Sequence, residues 1–309
     1  MTERRRGAAR GAGGTAAAVA PLLVVLALAS SCTVNVMLGR DGHADDSTTT
    51  ASTVPGPESS GPAAPVAAAG VDALDERFDG TSLDTALWNT CYWWDDGGCT
   101  IASNNELEWY LPGQVAVHGG ALVLTAEHRS VTGDGTTFPY TSGVVTTGPP
   151  THGAEPKYAF TYGTVEVRFR IPRGAGLWPA IWLLPASESS VPEIDMMEAV
   201  GQLPGEADMY FHPGDRTRPV TGHTVTLPPE RDLSRTWHTV RLDWTPGRLV
   251  YSLDGEEEWR VAGEQVPDEP MYLLMNLAVG GVYGGQPDAS AFPARFLIDF
   301  ARITPGEPG

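Results

Sequence analysis

The sequence predicts an all-β domain, a two-sheet antiparallel sandwich or jelly roll, and three observations carry that prediction. Apolar residues recur at every second position in many short segments, as in strands with one buried face. Glycine and proline are abundant, 36 and 26 of 309 residues, which suits frequent turns better than helices. Helical periodicity nowhere exceeds about two turns, and no internal repeat is present.

The chain opens with a segment of different character. Arg4, Arg5, Arg6 and Arg10 precede an apolar run from Ala16 to Ala29 that ends in Ser30-Ser31-Cys32. A charged start, a short apolar core and small residues form an export signal, and about 14 apolar residues are too few for a comfortable membrane span. Ala27-Leu28-Ala29 suits ordinary signal cleavage. Ala29-Ser30-Ser31-Cys32 resembles a bacterial lipobox that would make Cys32 a lipidated N-terminus, although Ala stands where Leu is usual. Residues 1–32 are therefore expected to be a signal peptide of the lipoprotein type. Residues 33–70 hold Ser, Thr, Ala, Pro and Gly with no Phe, Tyr or Trp; such a stretch cannot bury a core and reads as a disordered tether spanning about 35 Å. The folded domain is expected over residues 71–309.

Within it, Gln114 to His118 and Ala121 to Ala126 form a hairpin across Gly119-Gly120, and Ser142 to Thr147 is a further strand. Val165, Val167, Phe169 and Ile171 alternate with Glu166, Arg168 and Arg170, a half-buried pattern. Leu177 to Leu184 is apolar on both faces and central. Trp178, Ala180, Trp182 and Leu184 share one of those faces, Pro179, Ile181 and Leu183 the other. His238 to Trp244, Leu249 to Asp254 and Glu257 to Val261 read as a meander; Met271 to Val279 and Phe296 to Thr304 complete the set. Cys91 and Cys99 flank a turn-rich stretch that brings them within bridging range, so in an exported protein a disulfide is expected rather than two free thiols. Cys32 is then the odd cysteine, as a lipid anchor requires.

The chemistry-bearing stretch is Glu193-Ile-Asp-Met-Met-Glu198, three carboxylates among apolar residues with no basic residue nearer than Arg173 and Arg216. Like charges so placed are costly and usually functional. Strand alternation puts Glu193 and Asp195 on one face and Glu198, five positions on, on the other. One β-bulge, at Met196 or Met197, would return Glu198 to the shared face. The two glutamates would then be roughly 13 Å apart at Cα, with carboxyls about 5 Å apart, the separation of a retaining glycosidase. The plain alternative is an acidic strand facing water, against which Ile194, Met196 and Met197 argue.

Other chemistries find no motif: there is no phosphate loop, nucleophile-elbow serine or His-Glu-x-x-His zinc site, and the seven histidines lack ligand spacing. With 38 acidic and 20 basic residues and a net charge of −18, nucleic acid and anionic membrane surfaces are unsuitable partners. Trp178 and Trp182 could floor a sugar cleft or sit in the core; Trp93, Trp94, Trp109 and Tyr110 are similar candidates, and Trp237, Trp244 and Trp259 read as structural. In Asp208 to His212, alternation places Asp208, Tyr210 and His212 together, and His212 at the cleft if this strand pairs with the acidic one.

These residues resemble glycoside hydrolase family 16, in its bulge-containing laminarinase-like branch. The resemblance rests on Glu193 to Glu198 with the preceding Gly176-Leu-Trp-Pro-Ala-Ile-Trp-Leu-Leu-Pro185. Asn104-Asn-Glu-Leu-Glu-Trp-Tyr110, Trp237 to Trp244 with Leu253-Asp-Gly255, Leu273 to Gly281, and Phe292-Pro with Ile298-Asp-Phe300 extend it over nearly all of 71–309. It implies a concanavalin A-like β-jelly roll with an open cleft. Glu193 would be the nucleophile, Glu198 the acid/base and Asp195 the assisting carboxylate, with Trp178, Trp182, Trp109, Asn105 and His212 lining the cleft. It further implies an exported retaining endo-glycosidase acting on β-1,3-glucan-like polysaccharide. Transglycosylation, action on mixed-linkage β-glucan or galactan, and a non-catalytic glucan-binding module are the alternatives. Catalysis would need no cofactor; a structural calcium could be held by Glu76, the Gly120 carbonyl and Asp299, or these could be surface residues without an ion. The expected partner is polysaccharide, membrane contact is through a lipid alone, and the chain is expected to act as a monomer outside the cytoplasm.

Overall fold

The computed structural model describes residues 72–93 and 99–306. The expected signal segment, Cys32, the tether and Trp94 lie outside the described residues. Two antiparallel sheets stack around one apolar core. The larger runs β16 (Glu256–Ala262), β15 (Arg248–Leu253), β14 (His238–Thr245), β9 (Gly163–Arg170), β18 (Ala294–Pro305), β4 (Leu122–Ala126) and β3 (Val115–Val117), with β1 (Leu74–Glu76) pairing on β18. The smaller runs β13 (Thr221–Thr226), β12 (Glu206–His212), β11 (Glu193–Glu198), β10 (Leu177–Pro185), β17 (Met271–Val279) and β8 (Val144–Thr146). Beside them, β2 (Glu108–Tyr110) pairs in parallel with β7 (Tyr140–Ser142), and β5 (Val131–Gly133) with β6 (Thr136–Phe138). A single α-helical turn, α1 (Gly281–Gly284), follows β17. The all-β sandwich predicted from period-2 alternation is thus the observed fold.

The alternation is explicit in burial. Val165, Val167 and Phe169 of β9 and Val240, Leu242 and Trp244 of β14 point inward to meet Ile181, Leu183, Ile194, Met209 and Phe211 from the other sheet. β10 and β17, adjacent interior strands of the six-stranded sheet, are buried on both faces, which explains why Leu177 to Leu184 shows no polar alternation. Two elements escape the apolar pattern. β13 is a mostly exposed, Thr-rich edge strand, and the β5–β6 hairpin is short and polar, so neither carries a hydrophobic signature.

The acidic strand carries the expected bulge. Against β10, Ile181 opposes Met197 and Trp182 opposes Asp195, so Met196 is the extra residue. Against β12, Asp195 opposes Tyr210 and Glu198 opposes Asp208, so Met196 and Met197 together face Met209. Ile194, Met196 and Met197 are completely buried in the core between the sheets. Their burial holds Glu193, Asp195 and Glu198 on the opposite face, called the site face below.

If this apolar side anchors the strand, Ile194→Ala should lower the unfolding free energy by about 2–5 kcal/mol, measured by denaturant titration. A loss below about 0.5 kcal/mol, the range of surface substitutions, would contradict the anchoring role.

Candidate active site

Cross-strand register places the site residues in rows. Glu193 stands opposite His212, Asp195 opposite Trp182 on one side and Tyr210 on the other, and Glu198 between Ala180 and Asp208. One side-chain atom each from Glu193, Asp195 and His212 lie within 4.8 Å of one another. His212 Nε2 is 3.2 Å from Asp195 Oδ2, although that oxygen accepts no aligned hydrogen bond. Trp178 Nε1 donates to Glu198 Oε1 at 2.7 Å. Tyr283 of α1 lies against the Trp178 ring, centroids 5.1 Å apart, and its hydroxyl donates to Asp208. Gly222 on β13 makes room for Tyr210, since a Cβ there would fall 2.3 Å from the Tyr210 ring.

The acids depart from ordinary behaviour together. Burial, then the Asp195 charge, pushes Glu198 up to about 8, opposed by the Trp178 N–H and the His212 imidazole. Burial pushes Asp195 up to about 7, opposed by its hydrogen bond with Glu193. Glu193 is raised by burial and by the Asp195 charge, opposed by His212. Because Glu193 and Asp195 hydrogen-bond to each other, they share a proton and titrate as a pair. That bond raises Glu193 and lowers Asp195, so the proton of the free pair rests on Glu193. Glu193 and Glu198 stand on one face, and a double displacement needs the shared proton to pass to Asp195, leaving Glu193 ionised while Glu198 keeps its own.

The tryptophans take roles that alternation alone did not reveal. Trp182 is only 5 % exposed: it donates through Nε1 to Asn276 at 2.8 Å and lies beneath Tyr92 in an edge contact. Trp178 is 9 % exposed and its polar edge is turned to Glu198. Trp109 packs against Phe138 at a tilt, ring centroids 5.1 Å apart, and covers Gly133. Asn105 is exposed, in left-handed backbone conformation, at the end of the turn Ala102–Asn104. The structure thus gathers Glu193, Asp195, Glu198, His212 and Trp178 at one place, with Trp182 supporting them from below. Trp109 and Asn105 belong to the adjoining 102–110 segment.

That segment is part of a roof over half of the site face. Tyr92, Trp93, Ile101 and Tyr110 pack on Ala180, Trp182, Leu184, Val144, Tyr272 and Leu274 of β10, β8 and β17, and Trp93 Nε1 donates to the Tyr272 hydroxyl. The disulfide Cys91–Cys99, with Cα atoms 5.3 Å apart, ties the roof at its start. Sequence reasoning did not single out Glu106 and Glu108, which are buried here. Glu106 accepts from Asn104 and Glu108 from the Val279 N–H at 2.7 Å. Both carboxyls are raised, first by burial, and they hydrogen-bond to each other. They pin the roof to the end of β17. Their signal was only two glutamates flanking Leu107, which a solvated strand would show equally.

The expected calcium ligands lie where β1 and β4 adjoin β18 in the larger sheet. Glu76 pairs with Ala301, two positions from Asp299 on β18, and Gly120 is in the turn before Leu122, which pairs with Ile298. Glu76 Oε1 accepts from the Phe78 N–H and Asp299 Oδ2 from Arg168 at 2.8 Å. Glu76 Oε2, Asp299 Oδ1 and the Gly120 carbonyl are left as oxygen donors, a set that suits calcium.

A two-sheet jelly roll with a carboxylate cluster on one sheet's outward face defines a class of carbohydrate-active protein. The chain belongs to glycosyl hydrolases family 16, whose family model matches residues 104–302. It is 32% identical to a beta-glucanase from Rhodothermus marinus over 259 residues, 74% of this chain and 82% of that protein. It is 31% identical to glucan endo-1,3-beta-glucosidase A1 from Niallia circulans over 77% of this chain, but spans only 38% of that protein's length. Among solved structures, the laminarinase catalytic domain from Thermotoga maritima MSB8 is similar with a TM-score of 0.67 and 30% identity, covering 76% of this chain and 97% of that one.

The raised carboxyls make stability depend on pH. A group raised above its ordinary value contributes stability that is complete below that value and lost as pH rises through the folded one. Glu198→Gln, which has no proton to lose, should therefore gain on the wild type in melting temperature from the ordinary carboxylate range upward, levelling off above about 8. Thermal unfolding at pH 4, 6 and 9 measures this; a gap constant with pH would show that Glu198 is not raised.

Proposed function

We propose that this chain is an exported retaining endo-glycosidase that cleaves β-1,3-glucan-like polysaccharide by double displacement. The observation that carries the reading is the bulge at Met196 and Met197, which sets Glu193 and Glu198 on one face with Asp195 between them. The relatives named for their activity, a glucan endo-1,3-beta-glucosidase and a laminarinase, support the substrate class. The Cys91–Cys99 disulfide supports an oxidising compartment outside the cytoplasm, with Cys32 as the anchor.

In the first step the Glu193 carboxylate attacks the anomeric carbon. The glycosidic C–O bond breaks as Glu198 gives its proton to the departing oxygen. A glycosyl ester on Glu193 results. Glu198, now ionised, takes a proton from water as its oxygen attacks the same carbon, releasing Glu193 and a sugar of retained configuration. Asp195 takes the proton it shares with Glu193 as substrate binds, so that the nucleophile is charged when it attacks, and Trp178 orients the Glu198 carboxyl. The roof of Tyr92, Trp93 and Tyr110 covers the β10, β17 and β8 side, so the polymer meets the acids along the β11 and β12 side.

The full chain incubated with laminarin, lichenan, agarose and carrageenan should release oligosaccharides from laminarin first, with the anomeric configuration retained by NMR. Glu193→Gln should lower kcat at least about 10³-fold. Undiminished activity in that variant would remove the assigned nucleophile, and binding without cleavage by the wild type would make the chain a glucan-binding module.

Calcium held by Glu76, the Gly120 carbonyl and Asp299 would brace the larger sheet away from the reacting groups. Chelation should then lower the melting temperature by about 2 °C or more, restored by added calcium but not magnesium. An unchanged melting temperature would leave these as surface residues without an ion.

A further inference from the structure

Across the β11–β12 pair Glu198 stands directly opposite Asp208, and neither step of the proposed displacement uses Asp208. Both of its oxygens are occupied as acceptors: Oδ1 from the Thr224 hydroxyl on β13 and Oδ2 from the Tyr283 hydroxyl on α1. That is the hydrogen-bonding role of an ionised carboxylate, and among the described residues no lysine or arginine bonds to it. Tyr283 in turn packs on Trp178, whose N–H reaches Glu198. Four side chains, Glu198, Trp178, Tyr283 and Asp208, thus close a ring drawn from β11, β10, α1 and β12.

The ring contains two opposed influences on Glu198. A hydrogen bond from Trp178 orients the carboxyl but favours its ionised form, which an acid catalyst must avoid before attack. A fixed negative charge across the strand favours the protonated form. We propose that Asp208, held in place by Tyr283 and Thr224, is a positioning residue for Glu198, keeping the proton on the acid while Trp178 fixes its direction. The inference rests on Glu198 being the acid/base of the proposed reaction. Other groups face Glu198 as well: Glu193 and Asp195 on its own strand, His212 and the Tyr210 hydroxyl on β12, Trp178 on β10 and the Tyr283 hydroxyl on α1. Asp195 and His212 act on it by charge, as Asp208 does. Of the carboxylates, Asp208 is the one assigned no part in either bond-making step, so its replacement leaves the reacting groups themselves intact.

The test is the pH profile of kcat/KM on laminarin for the full chain. Asp208→Asn keeps the size of the side chain and deletes its charge; its amide accepts from one hydroxyl and donates to the other, which a rotated hydroxyl can accept. The alkaline limb should move down by about half a pH unit, with activity at pH 9 falling roughly threefold relative to that at pH 6, while the acid limb stays in place. Tyr283→Phe, which retains the charge but frees its carrier, should move the same limb by a smaller amount; it carries the test should Asp208→Asn not fold. Alkaline limbs at the wild-type position in the folded variants would overturn the proposal. If the wild type cleaves no glucan, the hydrolase reading fails but the coupling is still read. In that case the carboxyl ¹³C titration of Glu198, assigned with Glu198→Gln, should have a lower midpoint in Asp208→Asn than in the wild type, and equal midpoints would overturn it.

Discussion

Everything at the site follows from one backbone irregularity. A regular strand cannot place residues five apart on one face, and Glu193 and Glu198 are five apart. The extra residue at Met196 resolves the conflict, and it holds because Ile194, Met196 and Met197 have a complete apolar core to enter. Hydrophobic burial on one side of β11 thereby positions charge on the other. The core between the sheets does not merely carry the site; it selects which of two faces each acid occupies.

The electrostatics that result are unusual for a charge cluster. Glu193, Asp195, Glu198 and Asp208 crowd a few strand positions, and among the described residues neither lysine nor arginine pairs with any of them. Their partners are an indole N–H, hydroxyls and one imidazole. Neutral donors orient carboxyls without neutralising them, so protons must be shared among the acids. A neighbouring guanidinium would hold these groups ionised and defeat acid catalysis. Arginines are present elsewhere, on the outward face of the larger sheet: Arg241 pairs with Asp243 and Glu166, and Arg168 with Asp299. Their segregation from the site face is part of its chemistry.

The roof shows how a chain of this family acquires its own shape. Half of the sheet face is taken by Tyr92, Trp93, Ile101 and Tyr110, tied by Cys91–Cys99 and pinned by Glu106 and Glu108 to the end of β17. Trp182, a natural sugar platform by its position in the strand, is converted into a support whose N–H serves Asn276. Apolar area spent on covering the sheet is area withdrawn from ligand contact.

By itself the sequence determined the strands with apolar alternation, the bulge, the common face of the three acids and the reach of the disulfide; that His212 lies beside Glu193 depended on a strand pairing that only the structure supplied. The others are set by geometry local to a few residues: side chains alternate with period two, and an odd spacing must be absorbed. The tertiary structure alone decided what covers each face. Alternation put Trp178 and Trp182 together but could not say that one would bond Glu198 and the other lie under Tyr92. It could not bring Tyr283 to Asp208 across 75 positions of chain. Nor did it reveal β13, a polar edge strand whose pairing, not its composition, makes it a strand. Local geometry assigns a direction to a side chain; only the packing of distant segments assigns it a neighbour, and the chemistry of a carboxyl is set by its neighbours.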